Sequence, residues 1–189
     1  MTSDRTSMEP MAKQLCKELE SQKRKPYFIG RGGATPLGCV GYFDFVQELK
    51  NQLNHKVDHM VVSVGSCGTL AGIYLGVNYF NMPLKLWGIS GSRPAAECQQ
   101  QIQSLAVDTQ KLLGLDDLNW TIPFEVSDEY LGPGYGISTD QTIEAIEMVA
   151  KCEGIFLDPV FTRKAFAGLL GLIHKKEIKP GENVLFLHS

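Results

Sequence analysis

The run His59-Met-Val-Val-Ser-Val64 passes without a charge into Gly65-Ser-Cys-Gly-Thr69, and from there into a long apolar stretch ending at Phe80. A short apolar run bounded by glycine reads as a strand buried on both faces, here Val61 to Val64. The longer stretch, Thr69 to Phe80, reads as the helix that follows it. Leu84 to Ile89 is the next strand, with WGIS at its end. Two strands flanking one helix make a βαβ unit, which implies a parallel sheet and a right-handed crossover. This unit sets the expected fold class as α/β, a parallel twisted sheet with flanking helices.

The rest of the chain alternates in the same way. Met11 to Lys23 has helical periodicity, and Tyr27-Phe28-Ile29 reads as a short strand ending in the Gly-rich RGGATPLG. Tyr42 to Leu53 is amphipathic, with Phe45, Val46 and Leu49 on one face. Pro94 to Leu113 is a long helix, and Ile122 to Val126 an edge strand, since Pro123 has no N–H to give a ladder. Thr139 or Asp140 can cap the helix Gln141 to Lys151, after which Ile155-Phe156-Leu157 reads as a strand. Thr162 to Lys175 is the last helix and Val184 to His188 the last strand. Residues 1–24 are expected to form a helix and linker, and residues 25–189 one α/β domain.

Composition narrows the function. With 189 residues, 43% of them hydrophobic, the chain can bury one sizeable core. A net charge of −3 and the lack of a basic face argue against nucleic acid, since Lys23-Arg24-Lys25 reads as a solvated helix end. No apolar stretch approaches the roughly 20 residues of a membrane span. MTSDRTSMEP lacks the apolar core of a signal peptide. Five cysteines without CxxC or zinc spacing point to reduced thiols, no metal site and a cytoplasmic protein.

The turn Gly65-Ser66-Cys67-Gly68-Thr69 carries the chemistry. Glycines between a parallel strand and a helix let backbone N–H groups converge at the positive end of the helix, where phosphate binds. Ser66 and Thr69 can add hydroxyl donors. The turn lacks the lysine of a Walker loop and the order of a dinucleotide turn, so a small phosphorylated ligand fits better; a tight turn with glycines for packing is the plainer alternative. Ser66 and Cys67 are candidate nucleophiles, but Ser66 fails the GxSxG elbow because position 64 is valine. No histidine and acid pair is evident: His55 and His59 precede the strand at its solvent end, and His174 reads as a surface residue at a helix end.

Five stretches in order, GGATPLGCVGY, SVGSCGTLAG, GPGYGIST, EGIFLDPVFTRKAFAGL and ENVLFLHS, resemble the D-cysteine desulfhydrase and 1-aminocyclopropane-1-carboxylate deaminase family. The resemblance covers roughly Lys25 to Ser189. It implies the fold shared with tryptophan synthase β chains, most of whose large domain the chain would form, and pyridoxal 5′-phosphate as cofactor. It further implies that Gly65, Ser66, Cys67, Gly68 and Thr69 cup the phosphate and that Tyr135 is a catalytic tyrosine on the substrate side. Thr162 would face the pyridine nitrogen, and Ser189 would match the family's threonine near the cofactor. The deaminase branch has glutamate at the Thr162 position, so this chain sides with the desulfhydrases.

Two departures stand out: Phe161 where the family commonly has tyrosine, and Arg163 where glycine is common. A lysine segment of the GxNKxRK type and an early Ser-Asn-His segment are absent, and Lys164, at a helix start, reads as a surface residue. The resemblance therefore implies the C-terminal half of an enzyme that eliminates sulfide from D-cysteine or a related small amino acid. The alternatives are a phosphate-binding piece without turnover, an incomplete non-functional piece, and a deaminase. The family also implies a homodimer, with no nucleic acid or membrane partner.

Overall fold

The computed structural model describes residues 8–189; the start of the expected 1–24 region lies outside the described residues. α1 (Met8–Ser21) is followed by a single 3-10 turn at Arg31–Gly33, α2 (Pro36–Gln52), β1 (His59–Val64), α3 (Gly68–Tyr79) and β2 (Lys85–Ser90). Then come α4 (Ala95–Leu112), β3 (Phe124–Ser127), α5 (Asp140–Glu153), α6 (Thr162–His174) and β4 (Val184–Leu187). The strands form one parallel sheet in the order β3-β2-β1-β4. β1 pairs with β2 from His59↔Lys85 to Val64↔Ser90, and with β4 from His59↔Val184 to Val62↔Leu187.

Alternation along β1 explains why it carries no solvent face. Met60, Val62 and Val64 join the core formed with α2, α3 and α4, whereas Val61, Trp87 and Ile89 join the one beneath α5 and α6. Helices cover both faces, which is the condition for a parallel sheet. The contact of α3 with α2 is close: a Cβ on Gly76 would stand 2.7 Å from the Val46 side chain. Polar groups tie the segment entering β4 to β1 and β2. Trp87 Nε1 donates to His59 Nδ1 at 3.1 Å, so the His59 proton sits on Nε2, which meets Glu182 at 3.0 Å. His59 is therefore a core residue, not the solvent-end residue expected from the sequence.

Other expectations are corrected as well. Tyr27–Ile29 and Ile155–Leu157 form no strand; Tyr27, Ile29 and Phe156 are 78%, 70% and 79% exposed. α2 begins at Pro36, six residues before Tyr42, because Thr35 accepts the Gly38 N–H and Pro36 occupies the first turn. β3 is an edge strand, as Pro123 suggests. α5 is capped by Thr139, whose side chain and that of Thr142 bond each other's backbone N–H. Among the described residues no helix is long and apolar enough to cross a membrane.

The strand order sets the site. From β1 the chain steps outward to β2 and β3, then returns through α5 and α6 to β4 on the other flank of β1. The connections leaving β1 and entering β4 thus lie on opposite sides, and the crevice at the carboxyl ends of such strands is where α/β folds bind ligands.

Candidate active site

A cavity of about 620 Å³ opens there. Its floor is the turn after β1, with Gly65, Ser66, Cys67 and Thr69 on the wall. Cys67 caps α3 in the left-handed region (φ 77°), a conformation a non-glycine residue adopts only when its surroundings hold it. Arg93, from the loop after β2, supplies that hold: its Nη2 donates to Gly65 O at 3.1 Å and contacts Cys67 Sγ at 2.8 Å. Gly65 is glycine because the Phe161 ring lies against it; a Cβ there would stand 2.9 Å from Phe161 Cε1. Across the cavity, Tyr135 meets the Phe161 ring edge-on with centroids 5.8 Å apart, and Ser189 closes the wall after β4.

Asp158 organises the start of α6. Its Oδ1 accepts the N–H groups of Val160 and Phe161, each at 2.8 Å, and its Oδ2 accepts the Thr162 N–H and hydroxyl, each at 2.6 Å. Partial burial works against the charge, but the bonds from Thr162, Phe161 and Val160 hold the carboxyl below its ordinary range. The Thr162 hydroxyl also accepts the Asp158 N–H at 2.8 Å, and the residue is fully buried. Its donor is thus committed to Asp158, and Thr162 stands behind the cavity wall, not on it.

Arg163 and Lys164 are both buried, so Lys164 is not the surface residue expected. Its Nζ donates to Leu131 O at 2.6 Å and to Gly91 O and Gly134 O at 3.3 Å each. Desolvation, and then the neighbouring Arg163 charge, lower its pKa. Cys67 and Cys98, both buried, titrate as a pair. The hydrogen bond between them holds one proton tightly and lets the other leave below the ordinary thiol range, with Ser90 and Arg93 favouring the charge.

The fold brings Gly65, Ser66, Cys67, Thr69, Tyr135 and Ser189 to one cavity. Gly68 packs behind the turn, where a Cβ would stand 3.2 Å from Ala34 Cα. Sequence reasoning missed Arg93, although a polar residue just past a parallel strand, ahead of a proline-led helix, is a usable signal. It also missed Ser63, whose place inside an apolar strand hides it, and it assigned Asp158 no role within the DPVF stretch. Among the described residues, Ser63 Oγ and Arg93 Nε are buried without a hydrogen-bond partner, and both residues line the cavity. These orphaned groups, the first-turn N–H groups of α3 and the hydroxyls of Ser66 and Thr69 fit a phosphate. Arg31 and Arg93 against Asp158 make the lining side chains net positive. No lysine lines it.

Comparison with known proteins agrees with that chemistry. The family model described as pyridoxal-phosphate dependent enzyme matches residues 3–189. The D-cysteine desulfhydrase of Salmonella paratyphi C is 36% identical over 177 residues, which are 93% of this chain and 53% of that protein. A crystal structure of an ACC deaminase homologue superposes with a TM-score of 0.90 at 37% identity, covering 100% of this chain and 56% of the other. A threonine deaminase isoform of Solanum lycopersicum shares the fold alone, at 18% identity and a TM-score of 0.56, over 92% of this chain and 47% of its own. The architecture is the expected tryptophan synthase β-like one. The chain spans about half the length of the curated relatives it matches.

Proposed function

Because this chain belongs to the pyridoxal-phosphate dependent enzyme family, we propose that it supplies the phosphate-holding part of a lyase that eliminates sulfide from D-cysteine or a related small amino acid. With water, D-cysteine would yield pyruvate, ammonia and hydrogen sulfide. The observation that carries the reading is the Gly65–Thr69 turn at the start of α3, opening on the cavity that Tyr135 and Phe161 also line. When bound, pyridoxal phosphate supplies an electron sink for the electrons released at the substrate α-carbon.

This chain's residues would do the rest. The α3 amides with Ser66 and Thr69 hold the phosphate. Tyr135 stands on the substrate side, where its phenol can hold or move a proton. Phe161, without a phenol, packs on Gly65 and orients the wall. Asp158 is the single side-chain carboxylate among the described lining residues, and its oxygens already take four donors. With Thr162 behind it, this wall offers a pyridine nitrogen no open carboxylate, which suits departure of thiolate better than opening of a cyclopropane ring.

The lysine that bonds the cofactor would come from polypeptide outside these 189 residues. A second reading, a module that holds pyridoxal phosphate or another phosphate without turnover, is favoured by the lysine-free lining. A homodimer in the cytoplasm is part of the proposal.

The test is pyridoxal phosphate binding followed by borohydride reduction and peptide mapping. Noncovalent binding displaced by inorganic phosphate, with no single stoichiometric modified lysine, is expected. No binding at millimolar cofactor, or one stoichiometric labelled lysine among residues 1–189, would overturn the assignment. For the complete enzyme, sulfide release from D-cysteine should exceed ring opening of the cyclopropane substrate by roughly 10²-fold or more. Comparable rates would remove the role given to Thr162, and turnover of either substrate would exclude the second reading.

A further inference from the structure

Two adjacent cations at the first turn of α6 are electrostatically out of place. A helix N-terminus carries partial positive charge and favours anions there. Arg163 is nevertheless 3% exposed and Lys164 0%. Burying an ammonium is costly unless it is fully hydrogen-bonded, and an apolar residue of similar volume would serve packing as well or better. Among the described residues the five hydrogen-bond partners of the two side chains are all neutral oxygens, and four of them belong to one segment. Arg163 Nη1 donates to Ser138 Oγ at 2.6 Å and Nη2 to Gly136 O at 3.0 Å. Lys164 Nζ takes Leu131 O and Gly134 O, together with Gly91 O from the loop that carries Arg93.

That segment has little structure of its own. Gly132 and Gly136 are left-handed at φ 65° and 74°, and two backbone bonds brace it, Leu131 N–H to Asp128 O at 3.2 Å and Ile137 N–H to Gly134 O at 3.3 Å. Tyr135 lies between the bonded groups and on the cavity wall. Consecutive helix residues point about 100° apart, so the two cations reach the segment from two directions.

We propose that Arg163 and Lys164 are positioning residues that clamp the backbone on both sides of Tyr135 and so hold its ring at the cavity. The arginine that departs from the family pattern is, on this view, half of the clamp. What Tyr135 then faces rests on the function proposed above; the clamp itself does not.

The first measurement is hydrogen–deuterium exchange on the 189-residue protein without ligand. Lys164→Met and Arg163→Met should each raise exchange in the peptides of residues 128–139 by roughly tenfold or more, a local opening. Amides of β1 and α3 should stay within about twofold. Lys164→Ala should behave like Lys164→Met and be reversed by n-propylammonium, the fragment that substitution deletes, which keeps the test valid if the methionine variant folds poorly. Exchange that is unchanged, or that rises equally throughout the chain, would overturn the proposal.

The second measurement is calorimetric affinity for pyridoxal phosphate. Lys164→Met should weaken it about tenfold in the wild-type background and less than about twofold in Tyr135→Ala, because one effect acts through the other. Equal losses in both backgrounds would make Lys164 a merely structural residue. If the wild type binds no pyridoxal phosphate, the proposed function fails and the exchange measurement alone decides the clamp.

Discussion

Replacing Asp158 by alanine removes one side chain and strands four donors: the N–H groups of Val160, Phe161 and Thr162 and the Thr162 hydroxyl. A hydrogen bond to a charged group contributes about 1.5–3 kcal/mol when measured singly, and loss of a helix cap costs about 0.5–2 kcal/mol. The four donors share one carboxylate and water reaches the cavity side, so the effects do not add; about 3 kcal/mol is expected. For a chain of this size that lowers Tm by roughly 6–12 °C. The sign with pH follows from the lowered pKa of Asp158. In the window between the folded and the unfolded value the unfolded chain binds more protons, so the carboxylate's contribution is fully present above the unfolded value of about 3.9 and is lost as pH falls through the folded value. Differential scanning calorimetry from pH 7 to 2.5 should therefore show a gap between wild type and Asp158→Ala that is constant above about pH 5 and narrows in acid. The start of α6 carries Phe161, so the variant should also bind pyridoxal phosphate more weakly. An equal Tm at neutral pH, or a gap that does not change on acidification, would refute the role given to Asp158.

Arg93→Met removes the cation that holds Gly65 and Cys67 and should weaken phosphate binding by roughly tenfold or more, a loss of the size expected for one charge-assisted contact; unchanged affinity in calorimetry would remove Arg93 from the site. Thiolate absorbance should show one of the Cys67–Cys98 protons leaving below the ordinary thiol range, and Arg93→Met should raise that step; a pair titrating like free thiols would contradict the contact. Tyr27, Ile29 and Phe156 stand largely exposed, so a dilution series should reveal association or dye-accessible apolar surface; a monodisperse monomer with neither would count against it.

In three stretches a local pattern in the residues alone determined the structure. Apolar continuity in MVVSV, the longer apolar run Thr69–Phe80 and the cap Thr139 act over a few neighbours, and each produced the element expected within one or two residues. Tyr27–Ile29 and Ile155–Leu157 have the right residues for strands but no ladder, because a strand is completed by a partner's N–H and C=O groups, which lie far away in sequence. The turn Gly65–Thr69 was legible for the same local reason, as glycines mark a strand-to-helix junction. Arg93, Asp158, Arg163 and Lys164 were not. A charged residue on a helix reads as surface until its partners are known, and those of Lys164 lie 30 to 73 positions away at Gly134, Leu131 and Gly91. Only the tertiary fold, by bringing the ends of β1, β2 and β4 to one crevice, decided which of the chain's cations are solvated and which are built into the site, because a buried charge needs hydrogen-bond partners that a surface charge takes from water.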